Sequence, residues 1–356
     1  MSIDSFYQVW ILQAIQSFQP VSLNRLYRIL TGNRTMSTLI GVTEDKGEVF
    51  FASLPHLNEG EYSKRLQEFY RAGMIEEKNG LVHVKQPLPK LSILPSQEGN
   101  HIHYLLHPSS YIQVRDVTRL WIEWLSYRCY EFKKFRPLIQ NAWLQQLFKR
   151  WYQEEKAHLN EEWFTAVIDE FNRWAQEQSE SVKCHWIGLF HGAKSSALIE
   201  ADLEQFWDFQ QVEDCEALSR LVFLKWVTDL YNDKQKFPIC YRFVSKMIQW
   251  ISYETNSVQE TVSFFQGGMK RKAIARRRQL KESTINDHLL KYYLLTEDCR
   301  YQRVEESPHA GLYRCLFENG AYPKYKEAKD IFEKKGMTMD FFLYRYYQIK
   351  ALKERG

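Results

Sequence analysis

Between Lys270 and Lys291 eight basic side chains, Lys270, Arg271, Lys272, Arg276, Arg277, Arg278, Lys281 and Lys291, crowd into 22 residues. Cations at this density displace the counterions of a polyanion, above all a phosphate backbone, and such binding weakens steeply with salt. Over 257–295 they outnumber Glu260, Glu282 and Asp287 by five, whereas the whole chain has a formal net charge of +4. The basic excess therefore sits on one module of a near-neutral body. Among these cations lie Ser283, Thr284, Asn286 and Asp287, side chains of the kind that reach base edges or phosphates. Asn286 carries the donor and acceptor pair that matches adenine N6 and N7. The same pattern also suits a solvated helix face.

Other groupings offer less. His101, His103 and His107 alternate on what reads as a strand, but no carboxylate or cysteine completes a metal set, and Cys184, His185 and His191 are similarly short of ligands. The six cysteines, Cys129, Cys184, Cys215, Cys240, Cys299 and Cys315, form no CxxC pair and read as reduced core thiols. GAKSS at 192–196 lacks the spacing of a phosphate-cradling loop, and there is no GxSxG elbow or HExxH helix. Glu76-Glu77, Glu154-Glu155 and Glu161-Glu162 are adjacent, which on a helix turns the two carboxylates about 100° apart. No catalytic residue, cofactor site or metal site is expected. Lys133, Lys134 and Arg136, with Trp143 and Trp151 nearby in sequence, could stack and hold single-stranded bases, although rings at helical spacing usually pack a core.

The basic cluster needs elements to present it, and SVQETVSFFQGGMKRKAIARRRQLKESTINDHLLKYYLL (257–295) reads as a helix-turn-helix. A first helix over Val258 to Gln266 would close at Gly267-Gly268, where left-handed φ is free of steric cost. A second, Arg271 to Arg278, would bury Ile274 and Ala275, with Leu280 plugging the turn. Ser283 would cap a third helix whose Ile285, Leu289 and either Tyr292 or Tyr293 return to the core at i, i+4 and i+7/i+8. In this motif the third helix lies in the major groove and the second supports it.

The string IARRRQLKESTINDHLLK resembles the helicase-associated helix-turn-helix domain found at the end of some RecQ-type helicases and in the YpbB proteins of Gram-positive bacteria. Ile274, Ala275, Arg278, Leu280, Lys281, Ser283, Thr284, Ile285, Asp287 and His288 match that family's IA, basic turn and STI-x-DH signature. LYRILTGNRTMSTLIG (26–41), RLWIEWLSYRCYEFKKFRPL (119–138) and GLFHGAKSSAL (188–198) are similar to its earlier segments, so the resemblance covers most of the chain. GGMKRK and the tail TMDFFLYRYYQIKALK depart from it. The resemblance implies a DNA-binding accessory protein working with a RecQ-type helicase in recombination or repair, in the bacterial cytoplasm and at the nucleoid.

At 356 residues and 44% hydrophobic content the chain is long enough for two or three domains. The start, MSIDSFYQVWILQAI, lacks a secretion signal, and no apolar run approaches the ~20 residues of a membrane span, so a cytoplasmic protein is expected. The fold class expected is mainly α: an N-terminal winged-helix-like domain (1–86), a linker (87–108), a helical middle domain (109–256) and a C-terminal helix-turn-helix domain (257–356). Apolar spacing from Asp4 to Phe18, then Ser22 to Thr31 before Gly32, then about Asn58 to Ala72 before Gly73, gives three helices. A hairpin turning at Asn79-Gly80 follows. Pro87, Pro89, Pro95 and Pro108 interrupt the linker.

Ten of the eleven tryptophans fall in 111–256, which implies a bulky helical core. Helices are expected at about 110–133, 137–157, 160–179, 200–210, 213–232 and 239–252, with Pro137 and Pro238 in first turns, and a helical tail over Met339 to Leu352. Three functions remain open on sequence: a non-enzymatic DNA binder, an adaptor docking on an acidic surface of a helicase, and a transcription regulator.

Overall fold

A computed structural model describes residues 5–86, 88, 91, 93–94, 108–132, 134–198, 200–207, 209, 211–251, 256–296, 301–318 and 323–354. The chain is mainly helical and divides into two compact units, Met1–Asn33 with Asp45–Ser252, and Arg34–Glu44 with Tyr253–Gly356.

The first unit begins with α1 (Phe6–Phe18), capped by Ser5, whose Oγ accepts from Gln8 N, and α2 (Leu23–Thr31), capped in the same way by Ser22. Gly32 ends α2 at φ +81°, and a Cβ there would lie 2.5 Å from that of Ala52, so both conformation and close approach require glycine. α3 (Met36–Glu44) belongs to the second unit, and α4 (Glu59–Arg71), capped by Asn58, returns to the first. Strands β1 (Ile75–Lys78) and β2 (Leu81–Val84) pair antiparallel, with Ile75 opposite Val84. Asn79 and Gly80 take φ of +56° and +76°, as a type I′ turn demands. Val21, between α1 and α2, bridges Val82 and extends the hairpin by one residue pair. In the first unit, then, α1, α2 and α4 precede a single hairpin.

The remainder of the unit comprises α5 (Pro108–Cys129), α6 (Ala142–Glu155), α7 (Glu161–Gln176), α8 (Glu180–Gly188), α9 (Glu200–Leu203), α10 (Cys215–Asn232) and α11 (Pro238–Ile251). α10 is buried on every side from Ala217 to Tyr231, as expected of a helix at the centre of a bundle. Its buried Lys225 is answered within the helix: Lys225 Nζ pairs with Asp229 Oδ2 at 3.2 Å, and the Trp174 indole donates to the same oxygen at 3.0 Å. Trp121 stacks on Phe243 with ring centroids 4.0 Å apart, joining α5 to α11. No helix among the described residues is long and apolar enough to cross a membrane.

Several expectations are corrected. The expected boundary at 87–108 separates no compact units, since both 45–86 and 108–251 belong to the first. The helix expected from 137 starts only at Ala142, because the Asn141 side chain caps it, and Pro137 lies outside any helix. The helix expected over 200–210 is one α turn followed by a 3-10 turn, Glu204–Phe206. α8, capped by Ser179, and α3 are helices where the sequence pattern predicts none. Among the described cysteines Cys240 alone is buried, while Cys129 and Cys315 are exposed; Cys299 lies outside the described residues.

The second unit contains α3 and the helices α12 (Asn256–Gln266), α13 (Arg271–Arg278), α14 (Glu282–Leu295), α15 (Gln302–Glu305), α16 (Ala310–Phe317), α17 (Tyr325–Lys334) and α18 (Phe341–Lys353). α18 buries Phe342, Tyr344, Tyr346, Tyr347, Ile349 and Leu352, and Tyr346 stacks on Tyr293 of α14 at 4.3 Å. α3 packs against α14 and α18, where Arg345 reaches Ser37 Oγ and Gln348 donates to Glu44.

Candidate nucleic-acid interface

α12, α13 and α14 form a three-helix core around Val258, Val262 and Phe265 of the first, Ile274 of the second, and Ile285, Leu289 and Tyr293 of the third, all buried. Their spacing in α14 is i, i+4, i+8, so Tyr293 rather than Tyr292 is the core ring. α12 ends at Gly268, φ +97°, with Gly268 N donating to Phe265 O and Met269 N to Phe264 O at 2.9 Å. α13 ends at Gln279 in the same left-handed conformation, φ +53°, with Leu280 N donating to Ala275 O at 3.0 Å. The two closures set the angles at which α13 and α14 leave their predecessors.

This geometry sorts the cations. Arg278 turns inward: its guanidinium donates to Ser257 O, Thr261 Oγ1 and Ser257 Oγ (2.8 Å) and pairs with Glu260 at 3.2 Å, leaving the side chain 8% exposed. Arg271 lies over the Phe342 ring at 4.4 Å, pairs with Asp340 and donates to Asn286 Oδ1 at 3.0 Å. Asp340 meanwhile caps α18 through Phe342 N at 2.7 Å. Arg271 and Arg278 thus tie the domain together, and Asn286, read as a base contact, is the acceptor of one tie. Thr261 Oγ1 also lies 3.0 Å from His288 Nδ1, which joins α12 to α14.

The remaining cations face outward. Lys270, Lys272, Arg276, Arg277 and Lys281 are exposed, with Arg277 lying 4.5 Å over Phe264. Ser283 and Asp287 are exposed one turn apart on α14, while Thr284 and Lys291 are half-buried. Partial desolvation lifts the Asp287 carboxyl above its ordinary pKa, with His288 opposing. Ser283, expected as the N-cap, stands inside the first turn. The cap residue is Lys281, whose side chain bonds no helix N–H, and the same holds for Lys270 at the start of α13. Both helix starts therefore carry unanswered N–H groups and a partial positive charge beside the exposed cations, a combination that favours phosphate oxygens.

Spacing narrows the inward candidates to Lys270, Arg271, Arg277 and Arg278, each three or four residues from Ile274, and does not separate them further. Arg271 and Arg278 lie three before and four after Ile274, on its inward face, whereas Lys272 and Arg276 share a different stripe.

The other groupings do not converge. His185 is buried between Ser219 Oγ at 3.1 Å and the Trp207 indole at 3.0 Å, Cys184 bonds Glu180, and His191 accepts from Ala197 N. Among the described residues no His, Cys, Asp and Glu cluster could hold a metal. His101, His103, His107 and Lys133 lie outside the described residues. Lys134, Arg136 and Trp143 are exposed, whereas Trp151 is buried in the bundle.

No curated protein and no solved structure matches the chain. A family model described as a helix-turn-helix domain matches residues 257–348, from the start of α12 into α18. The three-helix core, its two left-handed closures and this match agree: residues 257–348 are a helix-turn-helix domain.

Proposed function

We propose that this protein is a non-enzymatic DNA-binding protein whose helix-turn-helix domain grips the phosphate backbone through Lys270, Lys272, Arg276, Arg277 and Lys281. The observation that carries this reading is the division of cations: acidic partners Glu260 and Asp340 answer the inward arginines, and the five outward cations have no ion-pair partner among the described residues. Ser283, Thr284 and Asp287, on the first turns of α14, are the side chains placed for contact beyond the backbone. The resemblance of residues 274–291 to the helicase-associated domain supports the finer reading of an accessory to a RecQ-type helicase in bacterial recombination or repair, with a cytoplasmic location.

Equilibrium binding of labelled duplex and forked DNA across a salt series tests the proposal. Five phosphate contacts give a slope of about −4.5 in log K against log salt, and replacing Lys272, Arg276 and Lys281 by Ala makes it shallower by about 2.7. Among the described residues these three exposed side chains make no ion pair or ring contact, so the variant reads binding rather than folding. An unchanged slope sinks the DNA reading; the same variant losing a helicase partner instead would make the domain a docking module.

A further inference from the structure

In the first unit, the C-terminal end of α5, the turn after it, the end of α6 and the start of α7 enclose a cleft of about 270 Å³. Its floor is Trp124 and Phe164, both nearly buried, and its rim is Phe132 and Tyr152, 45% and 37% exposed. Two charged side chains line it, Arg128 and Lys156, and both are cations. Neither makes an ion pair among the described residues: Arg128 lies 5.4 Å over Phe164, and Lys156 donates to Gln153 Oε1. Large rings left open to water beside unneutralised cations mark a binding surface rather than unfinished core.

The rim is built in. Glu131 adopts a left-handed φ of +54° to end α5, and Phe132 N bonds back to Tyr127 O at 3.0 Å. This closure returns the chain over the helix end and seats Phe132 against Tyr127, ring centroids 5.7 Å apart. Beyond Phe132, Lys134 and Arg136 are exposed.

We propose that this cleft binds an unpaired nucleotide of a single-stranded nucleic acid, the base stacking on Phe132 and Tyr152 and the flanking phosphates meeting Arg128 and Lys156. The volume, just under the ~300 Å³ where pockets for drug-sized ligands begin, suits one planar ring system. Paired cations disfavour the quaternary ammonium ligands that aromatic cages otherwise take, and favour an anion attached to a π-face. Since every base has a π-face, the site tolerates any sequence. The inference is independent of the helix-turn-helix reading, because it concerns the other unit.

The test uses the full chain carrying the Lys272, Arg276 and Lys281 to Ala substitutions, titrated with fluorescent oligothymidylate. Single-strand binding persists in this background, weakens about tenfold on adding Phe132→Ala, and returns with Phe132→Trp. Arg128→Gln makes the salt slope shallower by about 0.7. Photocrosslinking of 5-iododeoxyuridine maps to peptides within 124–164. Loss of all single-strand binding in the background variant, or indifference to Phe132→Ala, overturns the proposal without touching the duplex result. A Tyr-rich acidic peptide bound by the wild type and lost in Phe132→Ala, with oligothymidylate unaffected, also overturns it and assigns the cleft to a protein partner.

Discussion

Arg276 and Arg278 are two residues apart on one helix, and a sequence reading assigns both to phosphate. The structure gives Arg278 four acceptors around α12, whereas Arg276 faces solvent. Removing a buried, hydrogen-bonded guanidinium leaves the Ser257 carbonyl and the Thr261 hydroxyl without their donor, while the half-exposed Glu260 turns to water, so Arg278→Ala should destabilise the second unit by about 2 kcal/mol. Arg278→Lys recovers only part of this, because one ammonium cannot reproduce the fork. Arg276→Ala stays within about 0.5 kcal/mol while weakening DNA binding. Urea unfolding followed by far-UV circular dichroism separates them, and equal midpoints for the two Ala variants would refute the assignment. At this scale the sequence made the residue types legible but not their direction. The inward face could be traced from Ile274, yet nothing in the sequence shows that Glu260 and Asp340 stand where those arginines arrive.

Elements with their own punctuation were legible. Ser22, Asn58 and Gly32 mark helix ends, Asn79-Gly80 marks the hairpin, and the paired glycines mark the close of α12. α13 closes instead on Gln279, a residue with no left-handed signature, because the packing of Ile274 and Ile285 fixes the turn and the backbone must comply. Gln279→Val should therefore cost about 1–2 kcal/mol, a branched Cβ being unfavourable at φ +53°. Gln279→Gly should be neutral to within about 0.5 kcal/mol, relief of strain offsetting the added freedom of the unfolded chain. Thermal unfolding of the two variants checks this, and equal destabilisation would show that the side chain rather than the backbone matters. α3 is illegible in the sequence for a different reason. Met36, Leu39, Ile40 and Val42 are buried together with Thr38, Gly41 and Thr43, so no polar face betrays a helical period. Its cover is α14 and α18, far away in sequence.

Across the whole molecule the tryptophans are unevenly shared: all eleven lie in the first unit, so indole fluorescence reports on that unit alone. That unit also contains a pH-sensitive group in its core. Trp207 Nε1 can only donate, so His185 Nδ1 accepts and the ring is neutral with its proton on Nε2, facing Ser219. Burial lowers the His185 pKa from 6.5 to about 4. The unfolded chain therefore takes up a proton near pH 6.5 that the folded chain refuses until about pH 4, so the histidine's contribution is complete above pH 6.5 and is lost as pH falls through this window. The loss should be about 2 kcal/mol by pH 5 and about 3 by pH 4. Asp214 and Glu123, whose carboxyls burial raises, gain protons in the folded state and oppose the trend at the acid end, which makes the upper half of the window the diagnostic part. His185→Gln keeps an acceptor and a donor but cannot titrate. Urea midpoints from indole fluorescence should fall between pH 6.5 and 5 in the wild type and stay level in His185→Gln; parallel falls would place the acid sensitivity of the first unit elsewhere.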